Sequence, residues 1–76
     1  MSKSPALSGR AIIDVLKKSG FVVKRQKGSH VFLSHLDGRA TVVPIHSGET
    51  IGPGLFAKIL RDTDLTRADF VKHIKK

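Results

Sequence analysis

Apolar positions near the start of the chain recur at helical spacing. In "SGRAIIDVLKKSGF", Ala11, Ile12, Val15 and Leu16 fall on one stripe. Ser8 stands where a helix N-cap accepts a backbone hydrogen bond, and Gly20 where a left-handed residue ends a helix. Lys17 and Lys18 suit the last turn, at the negative end of the helix dipole. Phe21, just past Gly20, can fold back on the helix. The period then shortens to two. "FVVKRQ", "HVFLSH" and "ATVVPI" read as three short strands. Gly28-Ser29 is a turn signal between the first two. "LDGR" joins the second pair, because Asp-Gly tolerates the positive φ values of a tight turn. Pro44 lacks a backbone donor, which assigns it to an edge or to the end of its strand.

"HSGETIGPG" reads as a loop. Helical spacing returns in "PGLFAKILRDT", with Pro53 in the first turn and Leu55, Phe56, Ile59 and Leu60 facing inward. Thr66 caps a last short helix, "RADFVKHIKK", and Asp69 supports that cap. The order α-β-β-β-α-α predicts an α+β domain, a three-stranded antiparallel sheet with helices packed on one face. No linker or repeat interrupts residues 1–76, so they read as one domain. A chain this short buries only about 60% of its unfolded surface, so its stability is expected to be modest.

Composition narrows the chemistry. There is no cysteine, which removes a disulfide framework, a zinc ribbon and a thiol nucleophile. The N-terminus "MSKSPALSG" has no apolar signal core, and no apolar run approaches membrane-spanning length. A cytoplasmic protein with no membrane association is expected. The formal net charge is +8. Residues 1–30 carry seven Lys or Arg against Asp14 alone, whereas residues 31–76 carry seven against five acids. Such an imbalance favours polyanions, through phosphate contacts and counterion release.

The densest cationic stretch, "KRQKGSHVF", ends in a histidine. Lys24, Arg25 and Lys27 precede a two-residue turn, Gly28-Ser29, and a hairpin there folds them back beside His30. A histidine at a strand start is usually a structural residue. A neutral imidazole beside a cationic patch can instead act as a general base on a polyanion, and the 2′-hydroxyl of RNA offers the proton to take. Nearby cations then stabilise charge on the phosphoryl group. Gly28 permits positive φ and close backbone approach, or is an ordinary turn glycine. Ser29 is a poor nucleophile candidate, because adjacent strand residues point to opposite faces; a hydrogen bond to backbone or phosphate suits it better. Phe32 shares the His30 face of a regular strand and could stack a base, but core packing is the expected role. His30, His35, His46 and His73 show no metal-ligand spacing, and the six acids are scattered, so neither a zinc site nor a two-metal nuclease is expected.

The pieces "GF", "KGSH", "DGR", "VPIH", "GPG" and "ILRDTDLT", in this order, resemble the HicA toxins, also called the YcfA-like family. The resemblance runs from about Ser8 to Phe70. It implies a fold like that of double-stranded-RNA-binding domains. It further implies a ribosome-independent mRNA interferase that cleaves RNA, arrests translation and is neutralised by a HicB-like antitoxin. The family's catalytic histidine falls on His30, and its second motif histidine on His46, which either supports the site or serves only the fold. Lys24, Arg25, Lys27, Gly28 and Ser29 then form the RNA-binding surround, with no cofactor and no metal. Leu36 stands where a proline is common before "DG", and Leu33 where an aromatic is common. Two other readings remain: a non-catalytic double-stranded-RNA-binding module, and an interaction protein whose basic face docks an acidic partner. The helix start "IGPGLFAK" lacks the paired lysines that RNA-binding modules of this kind usually set against phosphates.

Overall fold

The computed structural model describes residues 7–47 and 49–74. Helix α1 (Gly9–Lys18) is followed by strands β1 (Val22–Lys27), β2 (His30–Ser34) and β3 (Ala40–Pro44), then helices α2 (Pro53–Thr63) and α3 (Arg67–Ile74). The strands form one antiparallel sheet in the order β1-β2-β3, the expected α+β arrangement of a double-stranded-RNA-binding fold. The expected continuation of α3 through Lys75 and Lys76 lies outside the described residues, as do Met1 to Ala6.

Local chemistry sets the element ends. The Ser8 hydroxyl accepts from the Ala11 N–H at 3.1 Å and opens α1. At its other end the Gly20 N–H reaches the Lys17 carbonyl and the Phe21 N–H reaches the Leu16 carbonyl, a Schellman closure. This places the Phe21 ring in the core, 2% exposed. Helix α3 opens with a reciprocal capping box. The Asp69 N–H donates to Thr66 Oγ1 at 3.1 Å, and the Thr66 N–H donates to Asp69 Oδ2 at 2.8 Å. Those hydrogen bonds, first the one from the Thr66 backbone, hold the Asp69 carboxyl below its ordinary range.

The core joins one face of the sheet to all three helices. Val31 and Leu33 of β2 and Val43 of β3 pack there with Ile12, Leu16, Phe56, Ile59 and Phe70. Phe56 and Phe70 meet edge to face at 5.2 Å. Ile13 is buried as well, one position outside the stripe expected for α1. Thr63 is fully buried and donates to the Ile59 carbonyl at 2.8 Å, so its hydroxyl costs little to bury. Every residue of β1 is exposed. Its inward-facing Val23 and Gln26 only line an open cleft of about 190 Å³ against Arg10, Ile13 and Lys17 of α1.

The hairpin turns differ from each other. Lys27 pairs with His30, and Gly28 has φ +60 between them. Positive φ at the first loop position alone is the pattern of a type II′ turn, which favours glycine there. The second hairpin, a tight turn at "LDGR" by its sequence, has three loop residues, Leu36 to Gly38. The His35 N–H donates to the Arg39 carbonyl at 2.8 Å, and the Gly38 N–H to the His35 carbonyl at 2.9 Å. Gly38, at φ +99, takes the left-handed position that closes a three-residue loop.

Candidate functional site

The register of β1 against β2 decides which side chains surround His30. Val22 pairs with Ser34 and Val23 with Leu33, but Arg25 pairs with Phe32 and Lys27 with His30. Lys24 is the extra residue of a β-bulge. Without it, the period of two would turn Arg25 and Lys27 toward the helices. With it, both share the open face of the sheet with His30 and Phe32. The bulge is therefore what brings the cations and the imidazole together.

His30 opens the central strand. It is exposed and flanked by Lys27 on one side and Pro44 on the other. Pro44 closes β3, where its missing donor breaks no ladder hydrogen bond beyond it. Ser29 is half-buried, and its carbonyl accepts the Ile45 N–H at 2.7 Å, extending the β2–β3 ladder by one step. That bond pins the turn next to His30. A Cβ built on Gly28 would meet nothing within 4 Å, so positive φ rather than close approach explains the glycine.

Phe32 departs from its expected core role. It lies on the sheet face opposite the helices, half-buried, with the Arg25 guanidinium 4.8 Å from its ring centre. The core is filled from the other side by Val31 and Leu33, so the parity of β2 leaves Phe32 outside it.

His46 is exposed two residues beyond Pro44, at the same end of the sheet as His30. It lines an open cleft of about 300 Å³ together with Ser8, Gly9, Arg10, Ile45 and Ser47. Gly9 holds α1 against this end, since a Cβ there would fall 2.1 Å from the Pro44 carbonyl oxygen. Arg10 is the residue that sequence reasoning passes over. It sits in the first turn of a helix, far along the chain from His46. Only the return of the chain after β3, where the Ile51 N–H donates to the Leu7 carbonyl at 2.7 Å, puts the two beside one cleft.

The other end of β2 is closed by interactions. His35 meets Phe21 edge to face at 5.1 Å and accepts the Asp37 N–H at Nδ1, 3.1 Å away. Arg39 Nε donates to Asp37 Oδ2 at 2.8 Å, its Nη1 donates to the Thr63 carbonyl, and its guanidinium lies 5.1 Å from the Phe21 ring centre. The Arg39 hydrogen bonds hold the Asp37 carboxyl below its ordinary range. His35 thus has a structural role. Among the described residues, no group of three or more His, Cys, Asp or Glu is placed to share a metal ion. No helix among the described residues is long and apolar enough to cross a membrane.

Sheet, helices and basic face define an α+β domain of the double-stranded-RNA-binding type. Residues 9–65 match the family described as "HicA toxin of bacterial toxin-antitoxin", and the chain belongs to that family. It is a toxin of a toxin–antitoxin pair, and its class implies an antitoxin as partner. No curated protein matches the chain.

Proposed function

We propose that the chain is a ribosome-independent mRNA interferase that cuts RNA with His30 as its acid–base group. The observation that carries this reading is the exposed His30 paired with Lys27, with Arg25 brought to the same face by the bulge at Lys24. In this reading the His30 imidazole takes the 2′-hydroxyl proton as that oxygen attacks the adjacent phosphorus. The bond from phosphorus to the 5′ oxygen breaks, and that oxygen takes up a proton as it leaves. Lys24, Arg25 and Lys27 hold phosphate charge, Gly28 and Ser29 set the turn, and His46 supports the site from the end of β3. The chemistry needs no metal and no cofactor. A HicB-like antitoxin neutralises the toxin by covering His30, and the reaction takes place in the cytoplasm.

Purified wild type and His30→Ala are compared on mRNA in EDTA. The expected result is cleavage by wild type and a loss of about 10²–10⁴-fold in the variant, the usual contribution of a general base. Equal cleavage by both proteins would remove His30 from the mechanism. Loss of wild-type cleavage in EDTA would bring in a metal. RNA binding without cleavage by either protein would support the non-catalytic binding module. That module has little help from α2, whose first turn carries no lysine and whose Lys58, in mid-helix, is tied to Asp62 at 2.8 Å.

A further inference from the structure

The helices cover one face of the sheet, and the other is open. Phe32 stands at the centre of that open face, with Arg25 of β1 and Val42 of β3 as its cross-strand partners. It contributes nothing to the core cluster. His30 lies two positions before it on the same strand, so the two side chains share the face at a spacing of about 7 Å. No carboxylate occupies any position of the three strands, while Arg25 and Lys27 bring positive charge to this side. A central aromatic ring, a guanidinium against it and a β1 edge whose charges are all cationic suit a flat, anionic ligand.

We propose that Phe32 and Arg25 form a stacking platform for one unpaired RNA base, adjacent to the phosphate attacked by the 2′ oxygen that His30 deprotonates. This rests on the reading of the open face as the RNA-cleaving site, and it names the substrate as single-stranded at the cut. A paired base has its faces covered by its neighbours in the helix, so it cannot lie on a protein ring. An unpaired base can, and aromatic residues on open sheet faces hold bases in this way. The contact is tolerant of sequence, because every base has a π face. The Arg25 guanidinium is itself a planar surface for stacking, and being exposed it can also turn to a phosphate. With a base on Phe32, the sugar–phosphate backbone passes His30 and Lys27 within one nucleotide.

The test is made in a His30→Ala background, so that binding is read without cleavage. Phe32→Leu keeps the apolar cover and removes the π face. Phe32→Trp keeps the π face and introduces an indole into a chain that has no Trp or Tyr, so its emission reports on this position alone. Binding is measured to a single-stranded RNA oligonucleotide and to its duplex. Phe32→Leu is expected to weaken single-strand binding about tenfold or more and to leave duplex binding unchanged. Phe32→Trp is expected to restore the affinity, with emission quenched by the single strand. Equal single-strand affinities for Phe32→Leu and its parent, or unchanged Trp emission at saturation, would overturn the proposal. So would a Phe32→Leu protein that binds RNA normally but no longer binds its antitoxin, which would assign the face to the protein partner. A chain that binds single strands through Phe32 yet never cuts RNA would keep the platform and lose the nuclease reading.

Discussion

Strand β2 begins at His30 and runs into His35 just past its other end, and each imidazole lies beside a hairpin turn built on a positive-φ glycine. The surroundings of the two have little else in common. His35 is held by Phe21, by the Asp37 backbone and by the Arg39–Asp37–Thr63 contacts beneath it. Lys27 is paired with His30, Arg25 shares its sheet face, and no carboxylate is found in β1, β2 or the turn between them. At the closed end, charges are used up in cross-links between elements. At the open end they remain available to a ligand. Two histidines of the same strand region are thus separated by the partners that tertiary structure gives them.

The sharpest way to break this contrast is to remove each imidazole in turn. His30→Ala should abolish most RNA cleavage while leaving the melting temperature near that of wild type, because an exposed strand-end residue holds nothing in place. His35→Ala should do the reverse, lowering the melting temperature while the folded protein still cleaves. Cleavage assays paired with thermal melts check both. Cleavage lost equally in the two variants would dissolve the distinction.

Removing cations should sort the same way. Arg39→Ala loses an ion pair, a hydrogen bond to a carbonyl at the end of α2 and a contact with a buried ring. A destabilisation of about 1–3 kcal/mol is expected, since the Thr63 carbonyl loses its partner as well. Lys27→Ala should be neutral for stability in denaturant titrations. It should reduce the slope of log affinity for RNA against log salt by about one, the signature of one phosphate contact. Loss of stability in Lys27→Ala with an unchanged salt slope would make the open end structural too.

The smallest effect expected is on acid stability. Arg39 beside Asp37, Lys58 beside Asp62 and the Thr66 cap on Asp69 each lower a carboxyl pKa in the folded chain. The contribution of such groups is fully present above the ordinary carboxylate pKa of about 3.9 and disappears as pH falls through the lower folded values. Stability should therefore fall below about pH 4, and Asp37→Asn should lose less over that range than wild type. Backbone amide shifts should move around 35–39 before they move around 27–30, where no carboxylate titrates. Simultaneous movement at both turns would show that acid acts on the whole sheet.

Much of the fold is legible along the chain because it is written in short-range signals. Caps at Ser8 and Thr66, Pro53 in the first turn of α2, and the switch of period after Gly20 each act within a few residues. The elements follow closely: α2 spans Pro53–Thr63, as its apolar spacing and proline predict. The length of the second hairpin loop was less legible, because Asp-Gly can be the centre of a two-residue turn or the end of a three-residue loop, Leu36-Asp37-Gly38, equally well. It is the Gly38 N–H bond to His35 that selects the longer form. The site was only half legible. "KGSH" marks His30 and its cations through local charge and the family resemblance, but nothing in "VVKRQK" announces a bulge.

What the sequence by itself determined was the order of elements, the apolar stripes of α1 and α2, and the gathering of positive charge just before His30. These depend on local propensity and spacing, which need no partner. Three things waited for the tertiary structure: that Arg25 and Lys27 face the same way as His30, that Phe32 looks out rather than in, and that Arg10 and His46 share a cleft. Each depends on register and on which face the helices cover. A single extra residue at Lys24 inverts the side-chain parity of the rest of β1. One-sided burial by α1, α2 and α3 then decides which parity is core and which is surface.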